Sequence, residues 1–121
     1  MADFTASTAV RNSSAAFNLL AAQASQTVDM SSSDEKYVLV VQNDNDSVAV
    51  NTATITIAPG GFLSNVLGTL SVDVADGGTC KVIGPLDGMR FKSTASKLTV
   101  GVSVTQSGTV SSVTLGIIKL P

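Results

Sequence analysis

The chain has 121 residues, 44% apolar and 13% charged, with no His, no Trp and a single Cys. That is the length of one domain with one core. The missing His removes the usual proton carrier near neutral pH and with it most hydrolytic and transfer mechanisms. A net charge of −2 offers no general attraction to nucleic acid or anionic lipid, so neither is expected as a partner.

Val, Ile and Thr number 16, 5 and 13. β-Branched side chains suit a pleated surface and lose rotamer freedom in a helix. One Glu and five Lys cannot furnish many exposed helix faces. The composition predicts an all-β chain.

Charge is unevenly spread. Residues 1–79 hold eight acids and two bases, and residues 80–121 hold one acid and five bases. The chain is dipolar if the fold separates these stretches and evenly charged if its strands interleave.

In chain order, residues 1–33 come first and commit to no element. They offer either an extended arm, with Phe17 and Leu20 as anchors on a neighbour, or a short helix over 15–24. Phe17, Leu20, Ala21 and Ala24 follow helical spacing behind a Ser13 or Ser14 cap. The apolar stretch here is short and broken by Asn18, and Asp3 spoils a positive leader, so no cleaved signal peptide is expected. No apolar run approaches the ~20 residues that span a bilayer.

Residues 34–121 form the predicted β-sandwich domain. Lys36-Tyr37-Val38-Leu39-Val40-Val41-Gln42 is apolar on both parities, as in a strand covered on both faces. Asn43-Asp44-Asn45-Asp46-Ser47 is a turn, because Asn and Asp bond their own backbone there. A strand over 48–57 follows, with a bulge or irregular start near Asn51. Pro59-Gly60-Gly61 opens a loop carrying Phe62, Leu63, Val66 and Leu67. These four either dock on another chain or fold back over the end of their own sandwich. Leu70, Val72 and Val74 alternate with polar residues. Asp76-Gly77-Gly78 then turns into a strand around Cys80, read as a small buried hydrophobe. Gly84-Pro85-Leu86-Asp87-Gly88 turns into Met89-Arg90-Phe91, with Arg90 and Lys92 on one strand face. Leu98, Val100, Val102 and Val104 alternate cleanly, and Val113, Leu115 and Ile117 share a face. About seven short strands with frequent turn signals predict a single antiparallel sandwich, Ig-like or jelly-roll-like.

Catalytic arrangements are not indicated. No pairing of the nine acids is suggested, and no Gly-x-Ser-x-Gly, Ser-x-x-Lys or Lys-bearing glycine loop occurs. Oxygen ligands do cluster at 43–47, but the Gly and distal Glu of a calcium loop are missing, and a hydrogen-bonded turn accounts for the same residues. The expectation is a non-enzymatic protein without catalytic, metal or cofactor-binding residues.

Several motifs follow one another in a distinctive order. Thr54-Ile55-Thr56-Ile57-Ala58-Pro59-Gly60 is a strand ending in Ala-x-Gly, and Gly68-Thr69-Leu70-Ser71-Val72-Asp73-Val74 reads Gly-x-Leu-x-Val-x-Val. Gly84, Pro85, Leu86, Asp87, Arg90 and Phe91 make a Gly-Pro-Leu-acid-x-x-Arg-Phe motif, and Ile117-Ile118-Lys119-Leu120-Pro121 closes the chain. From Tyr37 on, this order resembles the small β-sandwich type of tailed-bacteriophage capsid decoration, or head cement, proteins. In that family Glu stands where this chain has Asp87. Residues 84–91 are the specific element, and residues 1–36 match in composition only.

The resemblance implies a virion structural protein, made in the host cytoplasm and bound outside the head. Its partner would be the shell of the major capsid protein, and it would be a homo-oligomer, with a trimer favoured. Arg90 is expected to pin the turn by bridging carbonyls or a carboxylate such as Asp87. The alternative is a receptor- or glycan-binding module of a tail fibre or adhesin. The lack of Trp and the lone Tyr37 weigh against sugar binding.

Overall fold

The computed structural model describes residues 2–4, 6–17, 19–30, 37–45, 51–61, 68–86, 88–105 and 108–120. Its strands are β1 (Ala2–Phe4), β2 (Ser7–Thr8), β3 (Leu20–Ala21), β4 (Ser25–Asp29), β5 (Tyr37–Asn43), β6 (Ala53–Ile57), β7 (Leu70–Val74), β8 (Thr79–Ile83), β9 (Lys97–Val104) and β10 (Val113–Lys119). One helical turn, α1 (Gly88–Phe91), and a 3₁₀ turn at Val110–Ser112 complete them. The first sheet has the order β1-β4-β9-β6-β7, the second β2-β10-β5-β8, and β3 shares the outer edge of β10 with β2.

Period-2 alternation places the core between the sheets. From the first sheet come Val28, Leu98, Val100, Val102, Ala53, Ile55, Ile57 and Val74. The second supplies Tyr37, Leu39, Val41, Ile83, Val113, Leu115 and Ile117, and all of them are buried in one cluster. The chain is an all-β sandwich. Both sheets draw strands from 1–79 and from 80–121, so the charge asymmetry of the sequence interleaves in space.

The N-terminal segment is woven into the sandwich. β1 lies parallel to β4 in the first sheet, and β2 lies parallel to β10 in the second. These parallel pairs are a departure from a wholly antiparallel sandwich. Consecutive strands that switch sheets are not joined by a hairpin, so nothing obliges them to run antiparallel. The described residues of 15–24 are not helical, since Leu20 and Ala21 pair with Leu115 and Thr114 of β10. A helix of ten residues is marginal alone, whereas β10 presents an edge of backbone groups that pairing satisfies.

β4 escaped the sequence reading because Gln26 occupies an inward position with no exposed surface. Its Nε2 donates to the Val100 carbonyl at 2.6 Å, and its Oε1 accepts from the Gln23 N–H at 2.7 Å. Both ends of the buried amide are satisfied, which removes most of the cost of burying it.

One end of the sandwich is closed by asparagines. Asn43 continues the inward row of Leu39 and Val41, and its Nδ2 donates to the carbonyls of Asn51 and Val74 at 2.8 and 3.0 Å. Its Oδ1 accepts from the backbone N–H and the Nδ2 of Asn45 at 3.1 and 2.8 Å. Asn45 and Thr109 exchange two further bonds, Nδ2 to carbonyl at 3.1 Å and N–H to Oδ1 at 2.7 Å. Gly77 and Gly78, both at positive φ, donate their N–H groups to the carbonyls of Asn45 and Asn43. The turn expected at 43–47 is present in this part, with Asn43 and Asn45 facing inward; Asp46, Ser47 and the strand residues 48–50 lie outside the described residues. β6 begins at Ala53, past an irregular start at Asn51.

Asn43→Leu keeps the side-chain size but removes both donors and the acceptor. Two buried carbonyls then lose a partner, at roughly 1–3 kcal/mol for each unsatisfied group. The expected outcome in urea denaturation is a clearly lower midpoint with an unchanged m-value.

Candidate binding surface

The 84–91 motif closes the opposite end of the sandwich. The Leu86 N–H donates to the Tyr37 carbonyl at 2.9 Å, at the start of β5, and Leu86 and Phe91 are buried in the core. Gly84 has φ +125° and the Gly84–Pro85 peptide is cis. Residues 88–91 form a helical turn and not the expected strand. The reason is visible on the neighbouring segment, where the N–H groups of Gly60 and Gly61 donate to the carbonyls of Arg90 and Lys92. A Cβ on Gly60 would stand 2.1 Å from the Lys92 carbonyl oxygen. The turn lets Phe91 enter the core while those carbonyls face the glycines.

Arg90 Nε and Nη2 both lie 3.4 Å from the Gly68 carbonyl, and the guanidinium sits 4.6 Å from the Phe91 ring centroid. Arg90 therefore clasps the chain where it returns toward β7. Phe62, Leu63, Val66, Leu67 and Asp87 lie outside the described residues.

The two outer faces differ in chemistry. On the first sheet the outward positions are Ser25, Thr27 and Asp29 of β4, then Lys97, Thr99, Gly101 and Ser103 of β9. Thr54 and Thr56 of β6 and Ser71 and Asp73 of β7 complete that face. It is a hydroxyl-rich surface with charges at its margins.

On the second sheet the outward positions are Val38, Val40 and Gln42 of β5, Cys80 and Val82 of β8, and Thr114, Gly116 and Ile118 of β10. None carries a charge. Val82, Val40 and Gly116 form one row across the three strands. Phe17 lies on Gly116: a Cβ there would be 2.4 Å from Phe17 Cζ and 3.0 Å from Leu19 Cδ2. Glycine within a strand permits this close approach. The segment over β10 also leaves an open pocket of ≈ 150 Å³ lined by Ser7, Val10, Ser13, Ala16, Phe17 and Ile118, among others, none of them ionisable.

Sequence reasoning placed only part of this surface. Phe17 and Leu20, named as arm anchors, lie 38% and 50% exposed beside β10 of their own chain. Val82, 66% exposed, and Leu19 and Val10 were not singled out. The expectation that Cys80 is buried is overturned, since the thiol is exposed. β8 is an edge strand and Cys80 shares the outward parity of Val82, while Ile83 takes the inward position. For the same reason β5 is covered fully on one face and only partly on the other. A strand glycine at 116 was the available signal, since it marks a site where something approaches the backbone.

No group of three or more His, Cys, Asp or Glu side chains converges among the described residues, and no helix there is long and apolar enough to cross a membrane. Comparison with protein-family models, curated proteins and solved structures returns no match.

Gly116→Ala should displace Phe17 and Leu19, since backbone and ring cannot both keep their places. The expected cost is about 1–3 kcal/mol, read as a lower melting temperature together with faster proteolysis within 9–19. Arg90→Ala should lower stability by about 1–2 kcal/mol through the carbonyl bonds and the ring contact. Arg90→Lys should recover less than half of it, because an ammonium cannot reproduce the planar fork.

Proposed function

We propose that this chain is a non-enzymatic structural protein of a virion, a capsid decoration or cement protein that seats on the outside of a phage head. The observation that carries the reading is the outer face of the second sheet: apolar, uncharged, and built on strands whose other side is the core. A surface of that kind acts by excluding water against another protein surface. Its one ionisable group is the Cys80 thiol.

The order of motifs from Tyr37 onward supports the assignment to a phage head. In this fold the specific motif serves the architecture. Leu86 and Phe91 fill the end of the core, and Arg90 clasps the Gly68 carbonyl. A rigid two-sheet body suits a protein that must add binding free energy to a shell without losing much of it to its own ordering. By mass action, a protein that binds only the mature shell stabilises that shell over every state it does not bind.

The test is cosedimentation of the purified protein with heads that lack it, followed by thermal challenge of the loaded heads. Saturable binding and a raised disruption temperature are expected. Binding to host cells without binding to heads would instead mark a receptor-binding module and overturn the proposal.

A further inference from the structure

We infer that the outer face of the second sheet is the seat of a second copy of this chain, joined face to face about a two-fold axis. The inference uses the same face that carries the virion reading, and a copy seated there would leave the shell to be met by another surface; the two readings separate because this one holds or fails in free solution.

Three observations lead to it. The first is area. Val82, Val10, Leu19 and Phe17 are 66%, 53%, 39% and 38% exposed. At ~150–200 Å² per side chain they present roughly 330 Å² of apolar surface, and each side of a standard interface needs about 800 Å², a little over half of it apolar. The patch supplies most of what one side requires. It is also continuous, running from Val82 through Val40 to Gly116 and onto Phe17 and Leu19.

The second observation is charge. No outward residue of β5, β8 or β10 is ionisable apart from the Cys80 thiol, and Arg11 stands in the turn between Val10 and Ser13 of the pocket lining. A surface that meets its own image brings every charge against its like. Like charges across an interface cost several kcal/mol. A face whose centre has none can meet itself without that penalty, whereas the first sheet carries Asp29, Lys97 and Asp73 on its outer side.

The third is the lack of a complement. Of the large apolar side chains exposed among the described residues, Val82, Val10, Phe17 and Leu19 belong to this patch; Leu20, opposite inward-facing Leu115, stands alone at the rim of the sheet and makes no second apolar surface. A head-to-tail contact, as in a three-fold ring, needs a second and different apolar surface on the same chain, whereas a two-fold contact uses one patch twice. The described surface therefore favours a dimer over the trimer that the family resemblance implies.

The experiment is sedimentation equilibrium of the wild-type protein and of Val82→Glu across micromolar concentrations. Thr99→Glu on the opposite outer face serves as control. Wild type and Thr99→Glu should show twice the 12.2 kDa chain mass, and Val82→Glu should be a folded monomer whose melting temperature no longer rises with protein concentration, as that of a dimer does. A second measurement does not depend on any substitution. Cys80 is the single thiol and lies on the same face, so a bulky maleimide should label it more slowly as protein concentration rises. A wild-type monomer, a trimer, or a dimer that survives Val82→Glu with Cys80 reacting equally at all concentrations overturns the inference. A wild-type monomer whose Val82→Glu variant no longer cosediments with heads gives the face to the shell and leaves the virion reading standing. A dimer lost in Val82→Glu, with neither form binding heads, upholds the inference and removes the virion reading.

Discussion

The buried amide of Asn43 is the interaction on which the closed sandwich depends. An Asn side chain has two donors and two lone pairs, and all four are used here, on the carbonyls of Asn51 and Val74 and on the N–H and Nδ2 of Asn45. These partners sit before β6, at the end of β7 and just after β5, so one side chain ties both sheets. Burying an amide without partners costs several kcal/mol. Only the arrangement that satisfies all four groups avoids that cost, which makes the cluster a lock on how the sheets meet. A larger apolar residue would hold the sheets apart at the right distance but would not select this geometry.

The opposite end is closed by a different device. Leu86 and Phe91 fill it with apolar volume, and the close approach of Gly60 to the Lys92 carbonyl holds the covering turn in place. A polar lock at one end and an apolar plug at the other leave the two outer sheet faces as the broad surfaces open to partners. They are not equivalent. Hydroxyls on the first face keep water, and methyl groups on the second do not. The asymmetry follows from parity alone, since each strand's outward set is fixed once its inward set is buried.

Most of the β architecture was legible in the sequence. The β7 alternation of Leu70, Val72 and Val74 and the β9 alternation of Leu98, Val100 and Val102 matched their strands because both meet the core with simple apolar parity. β4 was not legible. Its inward Gln26 reads as polar, and only the position of the Val100 carbonyl beside it makes that residue a core residue. β3 was not legible either, because two residues carry no periodicity, and their strand character comes from the free edge of β10. Cys80 was misread because a strand's two parities cannot be told apart without knowing which side the second sheet lies on.

The sequence by itself determined the class of the molecule. β-Branched composition, period-2 alternation and turn residues at frequent intervals are local properties, and they specify the β class and the strands of simple apolar parity without reference to anything distant. The tertiary structure alone decided which outward face would be apolar, that residues 2–30 would join both sheets, and that Asn43 would be a structural core residue. Each of these depends on groups far apart in the chain: Gly116 lies 99 residues from Phe17, and Val74 lies 31 from Asn43. Hydrogen-bond satisfaction and burial are settled by such neighbours, and a linear pattern does not contain them.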